Sequence, residues 1–192
     1  MANRVIFILG GARSGKSTYA QELAARLGEK VLFVATAEAL DRDMAARIEQ
    51  HKRSRPGHWR TLETSAEVGR RLDHQIGDAE VVVLDCLTLL VANVMTRGDG
   101  PDSGSGSSAE AGTAERVAAE IEGLIACISR HDATFIVVSN EVGLGLVPDN
   151  DLGRAYRDLL GRANQTLARH AGEVYFMVAG IPLPVKNDTE PS

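Results

Sequence analysis

A glycine-rich turn between an apolar run and an amphipathic segment constrains this chain more than any other part of its sequence. Residues 5–9 are apolar throughout, and the turn that follows them ends in Lys16 and Ser17. Gly10, Gly15, Lys16 and Ser17 satisfy the pattern G-x-x-x-x-G-K-[ST], in which backbone N–H groups close around phosphate oxygens. The lysine can reach the β- and γ-phosphates, and the serine hydroxyl can ligate Mg²⁺. The pattern therefore predicts a nucleoside triphosphate as the ligand.

The segments on either side of the turn agree with this prediction. Residues 5–9 are typical of a buried parallel strand, and residues 17–27 predict an amphipathic helix. One face of that helix carries Ala20, Leu23, Ala24 and Leu27. A strand, loop and helix in this order aim the positive end of the helix at an anion. The alternative is a glycine-rich turn that binds nothing, and the match at all four positions and both flanks disfavours it.

Length, charge and hydropathy exclude several classes of protein. The chain has 192 residues, of which 44% are hydrophobic, and this size predicts one domain over residues 1–186 with a loose tail at 187–192. A net charge of −5 argues against binding nucleic acid through a broad basic surface. Because no apolar run approaches the ~18 residues of a membrane span, we expect a soluble, cytoplasmic protein.

Short apolar runs alternate with helical patterns along the whole chain. The predicted strands are residues 5–9, 31–35, 81–85, 135–139 and 174–178. Two stripes at helical spacing predict core-facing helices between the later strands: Val117, Ile121, Leu124, Ile125 and Ile128, and then Leu152, Tyr156, Leu159, Ala163 and Leu167. This alternation predicts an α/β fold with a mainly parallel sheet that helices cover on both faces.

Two further features are a Gly/Ser-rich segment and a pair of cysteines. Residues 98–112 are rich in Gly and Ser and almost free of large apolar groups, which predicts a flexible loop. The two cysteines, Cys86 and Cys127, lie in apolar segments without C-x-x-C or His-rich spacing. We therefore expect reduced core cysteines and neither a disulfide nor a zinc site.

A carboxylate ends the predicted strand at residues 81–85. The sequence VVVLD places Asp85 at the carboxyl end of that strand, where phosphate-binding-loop enzymes hold an acid near Mg²⁺. The alternative is a strand-end aspartate that caps the following helix. Because the chain also carries the phosphate-binding turn, the sequence favours the metal-side role, with Ser17 as the second protein ligand.

Residues 41–63 form a second unusual segment, which begins as a helix and must break near Pro56. Arg47, His51 and Arg55 share one helical face, whereas Met44 and Ile48 lie on a neighbouring, apolar one. Cations beside an imidazole disfavour its protonation and also attract phosphate oxygens. His51 could therefore act as a nucleophile toward phosphorus, or be one polar residue on a solvated basic helix; spacing alone leaves both interpretations open.

Taken in order along the chain, these motifs resemble one known family, the bifunctional adenosylcobinamide kinase / adenosylcobinamide-phosphate guanylyltransferases of cobalamin biosynthesis. The resemblance covers almost the whole chain outside residues 98–112 and the tail. Its pieces are GGARSGKS at 10–17, VATA at 34–37, RIEQHKRSRPGHWRTLE at 47–63, LDCLTLLVAN at 84–93, VVSNEVGLGLVPDN at 137–150, RAYRDLLGRANQTLA at 154–168 and VAGIPLPVK at 178–186. The segments around His51 and NEVGLGLVP are the most specific of these.

The resemblance implies roles for particular residues. His51 would carry GMP, and Lys16 would act on the triphosphate. Nucleotide contacts would come from Gly10, Gly11, Ala12, Arg13, Ser14, Gly15, Lys16, Ser17, Ala35, Thr36, Ala37, Lys52, Arg53, Ser54, Arg55, Glu63 and Asp85. Two departures qualify the match: some relatives carry Glu where this chain has Asp85, and family members vary in length at residues 98–112.

The resemblance also implies the fold, the chemistry and the partners. It predicts a P-loop NTPase of the RecA-like type that uses ATP, GTP and Mg²⁺. Adenosylcobinamide would first be phosphorylated, and its phosphate would then receive GMP from a covalent GMP–histidine. The family further implies a homo-oligomer, with a trimer suspected. Two other functions fit parts of the sequence: a P-loop kinase of another small alcohol, without a covalent nucleotide, and a GTP-dependent switch protein.

Overall fold

A single sheet organises the molecule. The computed structural model describes residues 4–38, 49, 52, 55–97 and 107–187. Its strands are β1 Val5–Gly10, β2 Val31–Ala35, β3 Arg60–Glu63, β4 Val81–Asp85, β5 Thr134–Val138, β6 Glu173–Val178 and β7 Ile181–Asn187. The helices with described bounds are α1 Lys16–Leu27, α2 Val68–Gln75, α3 Leu87–Thr96, α4 Ser107–Arg130 and α5 Asp151–His170.

The strands follow the order β3-β2-β4-β5-β1-β6-β7 across the sheet. The first six strands in the chain run parallel, and only β7 pairs antiparallel, with β6. Parallel neighbours place their carboxyl ends at one edge, so the ends of β1, β5 and β4 lie side by side there. The predicted α/β fold with a mainly parallel central sheet is confirmed.

Successive side chains of each strand lie on opposite faces of the sheet, and each face carries its own apolar core. Ile6 and Ile8 belong to the core that α1 covers, whereas Phe7 belongs to the core beneath α2–α5. All three side chains are completely buried. Burial on both faces explains why the central strands are continuous apolar runs rather than alternating ones. Helices thus cover both faces, as the sequence predicted.

The five predicted strands are confirmed, with ends that shift by at most one residue. The sequence analysis missed β3 and β7, which lie at the two edges of the sheet. In β3 only Leu62 is buried, and β7 contains Pro182 and Pro184 and no fully buried residue. Edge strands of this kind lack the apolar run from which a buried strand is recognised.

Strands β6 and β7 form a hairpin whose turn residues, Ala179 and Gly180, have φ angles of 50° and 84°. Both φ values are positive, as in the tight two-residue turns that suit the twist of a hairpin. Pro182 and Pro184 occupy alternate positions on the outer strand. Because proline has no N–H group, this edge offers few donors to another strand.

Two predicted boundaries need correction. The prediction of a flexible loop over residues 98–112 is wrong at 107–112, because Ser107 begins the long helix α4. Residues 98–106 lie outside the described residues. Ala109, Glu110 and Ala111 are good helix formers and, together with the apolar stripe downstream, they extend the helix into the Gly/Ser-rich sequence. The predicted tail begins one residue too early, because Asn187 ends β7 and pairs with Glu173.

The predicted helical stripes are mostly confirmed. In α4 the side chains of Val117, Ile121, Leu124 and Ile128 are buried, and Ile125 packs against the same core. In α5, Ala163 and Leu167 are buried, while Tyr156 and Leu159 pack at the margin of the core. The prediction for Leu152 is wrong, since it is 65% exposed in the first turn of α5, and Leu160 is the buried leucine instead.

Neither cysteine forms a disulfide: Cys127 is buried, Cys86 is partly buried, and both are free thiols. This agrees with the prediction of reduced core cysteines. In the described parts of the chain, no helix combines the length and apolarity that crossing a membrane requires.

An ion-pair cluster joins α2 to the end of α4. The Asp73 carboxylate accepts hydrogen bonds from Arg130 and from His131, the latter at 2.8 Å. Asp73, Cys127 and His131 could each offer a metal-ligand atom within 4.8 Å of one another. However, burial and the adjacent Asp73 raise the pKa of the Cys127 thiol to about 12, and the carboxylate is already paired. We therefore interpret the cluster as a clamp between two helices.

Replacement of Asp73 by Asn tests this clamp. Although burial opposes ionisation, hydrogen bonds from Arg130, His131 and Cys127 lower the pKa of Asp73 to about 2. A folded-state pKa below the unfolded value stabilises the protein above about pH 4, and this stabilisation is lost as the pH falls toward 2. We expect Asp73→Asn to lower the free energy of unfolding by about 1–2 kcal/mol at neutral pH.

The measurement is urea unfolding of both proteins between pH 7 and pH 3. The difference between them should shrink on acidification. Asp132→Asn, in the exposed position beside His131, is the matched control and should change stability little. A difference between wild type and Asp73→Asn that does not vary with pH would contradict the assignment.

Candidate active site

The turn between β1 and α1 adopts a conformation that only glycine accepts at two positions. Gly10 has φ +154° and Gly15 has φ +94°. A Cβ atom on Gly10 would come within 2.7 Å of the Met177 carbonyl oxygen, and one on Gly15 would lie 3.1 Å from the Cα atom of Gly180. The β6–β7 turn also donates a hydrogen bond from the Gly180 N–H to the Ser14 carbonyl at 2.9 Å. The turn is thus shaped by β1, α1 and the hairpin together.

Lys16 lies inside this turn. Its Nζ donates to the Gly11 carbonyl at 2.5 Å and to Ser14 Oγ at 3.4 Å, and the residue is only 7% exposed. Burial lowers the pKa of Lys16, and the nearby charge of Asp85 opposes that shift. A desolvated ammonium group encircled by backbone at a helix N-terminus is suited to an anion such as a phosphate.

Asp85 lies opposite the start of α1. Although β5 separates β4 from β1, the Ser17 hydroxyl is 3.4 Å from Asp85 Oδ1. The residue in the N-cap position of α3 is Cys86, which makes no side-chain cap, so Asp85 is not the helix cap that the sequence left as an alternative. A serine hydroxyl and a carboxylate therefore meet at the carboxyl edge of the sheet, as predicted from the sequence.

Residues 35–37 lie at the same edge, after β2. The Thr36 hydroxyl donates to the Cys86 carbonyl at 2.7 Å and accepts from the Cys86 N–H at 3.0 Å. Asn93 Nδ2 donates to the Thr36 carbonyl at 2.8 Å. Because Thr36 is completely buried, it supports the edge rather than lying open to a ligand. Ala35 is buried as well, and Ala37 is the more accessible member of the predicted set.

The basic segment before β3 reaches the site through Arg55. Its guanidinium carbon lies 3.6 Å from the centroid of the Phe33 ring, and Nε and Nη1 are buried without a hydrogen-bond partner among the described residues. Burial lowers the pKa of Arg55, while the charges of Asp85 and Glu63 oppose this shift. Two buried N–H groups without an acceptor are an incomplete arrangement that an anionic ligand would satisfy.

Lys52 and Glu63 form an ion pair of 2.6 Å beside this arginine. Glu63 ends β3 next to Ala35, and its hydrogen bond raises the pKa of Lys52. Most of the remaining basic segment lies outside the described residues, including Arg47, His51, Arg53 and Ser54. The structure therefore brings together residues 10–17, Lys52, Arg55, Glu63 and Asp85 and does not test the position of His51.

The sequence analysis assigned no role to a buried polar network behind this edge. Ser139 Oγ donates to Asn164 Oδ1 at 2.7 Å, and the Thr88 hydroxyl lies 3.5 Å from Ser139 Oγ. Asn140 continues the network through its backbone, bonding to Thr88 Oγ1 at 2.8 Å and to Asn164 Nδ2 at 3.1 Å. The segments LDCLTLLVAN, VVSNEVGLGLVPDN and RAYRDLLGRANQTLA contain these residues. However, no spacing rule relates positions 88, 139 and 164.

The fold and the site define a P-loop protein of the nucleoside triphosphate-binding class. A family model described as cobinamide kinase / cobinamide phosphate guanyltransferase matches residues 6–185. The chain belongs to this family, which confirms the resemblance drawn from its motifs.

Curated relatives span nearly the full length of the chain. The protein of Escherichia coli strain K12 named bifunctional adenosylcobalamin biosynthesis protein CobU is 42% identical over 185 residues, covering 95% of this chain and 99% of the relative. A Salmonella typhimurium protein of the same name is 39% identical over 187 residues, covering 95% and 99%. In Pseudomonas aeruginosa, the protein named bifunctional adenosylcobalamin biosynthesis protein CobP is 39% identical over 181 residues, covering 94% and 96%.

Replacing Lys16 by Ala tests whether the turn binds a triphosphate. Removing a charged hydrogen-bond donor from the phosphates should weaken binding of MgGTP about 10- to 100-fold. Isothermal titration calorimetry measures the change directly. Lys30→Ala removes a surface lysine paired with Asp78 and is the matched control, for which we expect unchanged binding. Equal affinities of wild type and Lys16→Ala would remove the turn from the nucleotide site.

Proposed function

We propose that this chain phosphorylates adenosylcobinamide with ATP or GTP and then transfers GMP from GTP to the product. The observation that carries the proposal is the convergence of Lys16, Asp85 and Arg55 at one sheet edge in a chain of this family. The relatives named bifunctional in adenosylcobalamin biosynthesis support both activities in one chain.

In the first reaction the substrate is an alcohol and the phosphoryl donor lies in the turn of residues 10–17. The hydroxyl oxygen on the aminopropanol arm attacks the γ-phosphorus, the bond from that phosphorus to the β,γ-bridging oxygen breaks, and the alcohol proton passes to solvent. Negative charge develops on the γ-phosphoryl oxygens and on the leaving diphosphate. Lys16 stabilises this charge from within the turn.

The residues present fit Mg²⁺. Ser17 Oγ and Asp85 Oδ1, which are 3.4 Å apart, are hard oxygen donors of the kind that Mg²⁺ takes alongside phosphate oxygens. When bound there, the ion supplies neutralisation of phosphate charge. Ser17 and Asp85 would hold it, with the shorter side chain of Asp in place of the Glu found in some relatives.

In the second reaction we assign the nucleophile to His51. An imidazole nitrogen attacks the α-phosphorus of GTP, the bond to the α,β-bridging oxygen breaks, and pyrophosphate leaves. A phosphate oxygen of adenosylcobinamide phosphate then attacks the same phosphorus, which breaks the P–N bond and frees the histidine. The products are adenosylcobinamide-GDP and pyrophosphate.

Cations flanking His51 in the sequence would stabilise the α-phosphate during these displacements. Arg55 is the strongest candidate, because two of its buried N–H groups have no partner in the described part of the chain. Lys52 is held by Glu63 and would be released or shared when phosphate arrives. Arg47 is proposed for the same role from the sequence.

Replacing His51 by Ala separates the two reactions. We expect loss of guanylyl transfer with appreciable kinase activity retained, since γ-phosphoryl transfer needs no histidine nucleophile. Incubation with α-labelled GTP, followed by acid and alkali treatment, measures the acid-labile nucleotide on the protein. His58→Ala replaces another histidine of the same segment and should still become labelled.

Acid-labile label on His51→Ala would reject the assignment of the nucleophile. Wild-type protein that phosphorylates an alcohol but never becomes labelled would favour a simple P-loop kinase. Binding of GTP without turnover of any corrinoid would favour a switch protein instead. The labelling and turnover results together distinguish the bifunctional enzyme from the simple kinase and from the switch protein.

We also propose that the chain forms a homo-oligomer, with a trimer as the expected state, and acts in the cytoplasm. Leu144 and Leu146 are 80% and 96% exposed in the segment before α5, and Val147 and Leu152 are also mostly exposed. Apolar side chains in this number commonly mark a contact surface. A partner subunit there would enclose a substrate as large as a corrinoid.

Sedimentation velocity tests the assembly. We expect a mass about three times that of the 20.5 kDa chain, and dissociation when Leu146 is replaced by Asp, because a charge buried in an apolar contact is costly. Leu183→Asp is the matched control, because Leu183 is a 48% exposed leucine on the outer strand β7. A wild-type protein that sediments as a monomer at micromolar concentration would reject the oligomer.

A further inference from the structure

Asn140 follows the strand that lies between the two halves of the site. Strand β5 pairs on one side with β1, which leads into the phosphate-binding turn, and on the other side with β4, which ends at Asp85. The ladder to β1 continues beyond β5, since Ser139 N–H donates to Ile8 O at 3.0 Å and Glu141 N–H donates to Gly10 O at 3.1 Å. Asn140 therefore lies between the turn and Asp85 along the edge.

The pleat determines the face on which Asn140 lies. Ser139 lies on the α5 face, because its hydroxyl donates to Asn164. Successive side chains of an extended strand lie on opposite faces, so Asn140 belongs to the face that α1 covers. Helix α1 begins on that face with Lys16 and Ser17.

The backbone of Asn140 is fixed, whereas its carboxamide is not engaged. Its N–H donates to Thr88 Oγ1, and its carbonyl accepts from Asn164 Nδ2. Thr88 and Asn164 are themselves only 6% exposed. Within the described ranges the Asn140 carboxamide makes no hydrogen bond. Buried side chains thus hold the residue in place while its two N–H donors stay available.

We propose that the Asn140 carboxamide donates a hydrogen bond to a γ-phosphate oxygen of the triphosphate bound at residues 10–17. This inference rests on the proposed nucleotide site. A neutral donor just beyond the strand that pairs with the Asp85 strand adds no repulsion toward phosphate, and it stabilises charge that develops on the γ-phosphoryl group. Thr88, Ser139 and Asn164 act as positioning residues for that donor.

The position of the contact predicts a selective effect. The kinase step changes bonding at the γ-phosphorus, whereas guanylyl transfer changes bonding at the α-phosphorus, two phosphoryl groups away. Loss of the carboxamide should therefore reduce discrimination between triphosphate and diphosphate and slow the kinase step more than self-labelling. A purely structural role would change both reactions together.

The test uses Asn140→Ala and Asn140→Asp, both of which retain the backbone N–H and carbonyl bonded to Thr88 and Asn164. Binding is measured with the α,β-methylene analogues of GTP and GDP, in which expulsion of the leaving group from the α-phosphorus is blocked. We expect the preference of wild type for the triphosphate to fall about 10-fold in the Ala variant, and further in the Asp variant through repulsion. The kinase kcat should fall about 10- to 100-fold.

Asn150→Ala is the matched control, because Asn150 caps α5 from the same connecting segment through a 2.7 Å bond to Gly153 N–H. It should lower thermal stability without changing triphosphate preference. An Asn140→Ala protein with wild-type preference and kinase kcat would overturn the inference while leaving the proposed function intact. A wild-type protein that binds neither analogue would instead reject the nucleotide site itself.

Discussion

A buried lysine inside a loop of backbone carbonyls and N–H groups is the constraint on which the rest of this structure depends. Lys16 is desolvated and is held by Gly11 and Ser14, so the loop must stay closed around an ammonium group that burial disfavours. Only glycine fits where the backbone turns at positions 10 and 15. Asp85 lies close enough to oppose the loss of that charge. The apolar sheet holds these groups in position and itself takes no part in the chemistry.

The sequence is sufficient to predict the centre of this fold but not its margins. Strands β1, β2, β4 and β5 are buried on both faces and therefore have the sequence of apolar runs, and β6 is buried over part of its length. Strand β3 has one buried residue, and β7 alternates prolines with exposed apolar side chains, so neither carries that signal. At the start of α4 the sequence is misleading in another way. Its Gly/Ser-rich composition is typical of a loop, but packing of the downstream part of the helix supports helical structure there.

In the candidate site, too, some residues could be predicted from the sequence and others could not. Residues 10–17 could be predicted because their spacing is typical of a phosphate-binding turn. Asp85 could be predicted because it ends an apolar run that is typical of a buried strand. The partners of Arg55 were not, since Phe33 and Asp85 are distant in the chain and meet it only through the sheet. The network of Thr88, Ser139 and Asn164 had no local signal for the same reason. For His51, helix spacing left two interpretations open, and its proposed role as nucleophile comes from the resemblance of the surrounding motif.

The contact between the β6–β7 hairpin and the phosphate-binding turn affects the order in which parts of the protein can fold during synthesis. The Ser14 carbonyl receives its hydrogen bond from Gly180, and Gly10 pairs with Met177 in β6. While the protein is being synthesised, its first thirty or so residues emerge from the ribosome long before these partners exist. The phosphate-binding turn can therefore reach its final shape only after the β6–β7 hairpin has been synthesised, although the turn lies near the start of the chain. A chain released before that point would lack the contacts from Met177 and Gly180 that shape the turn.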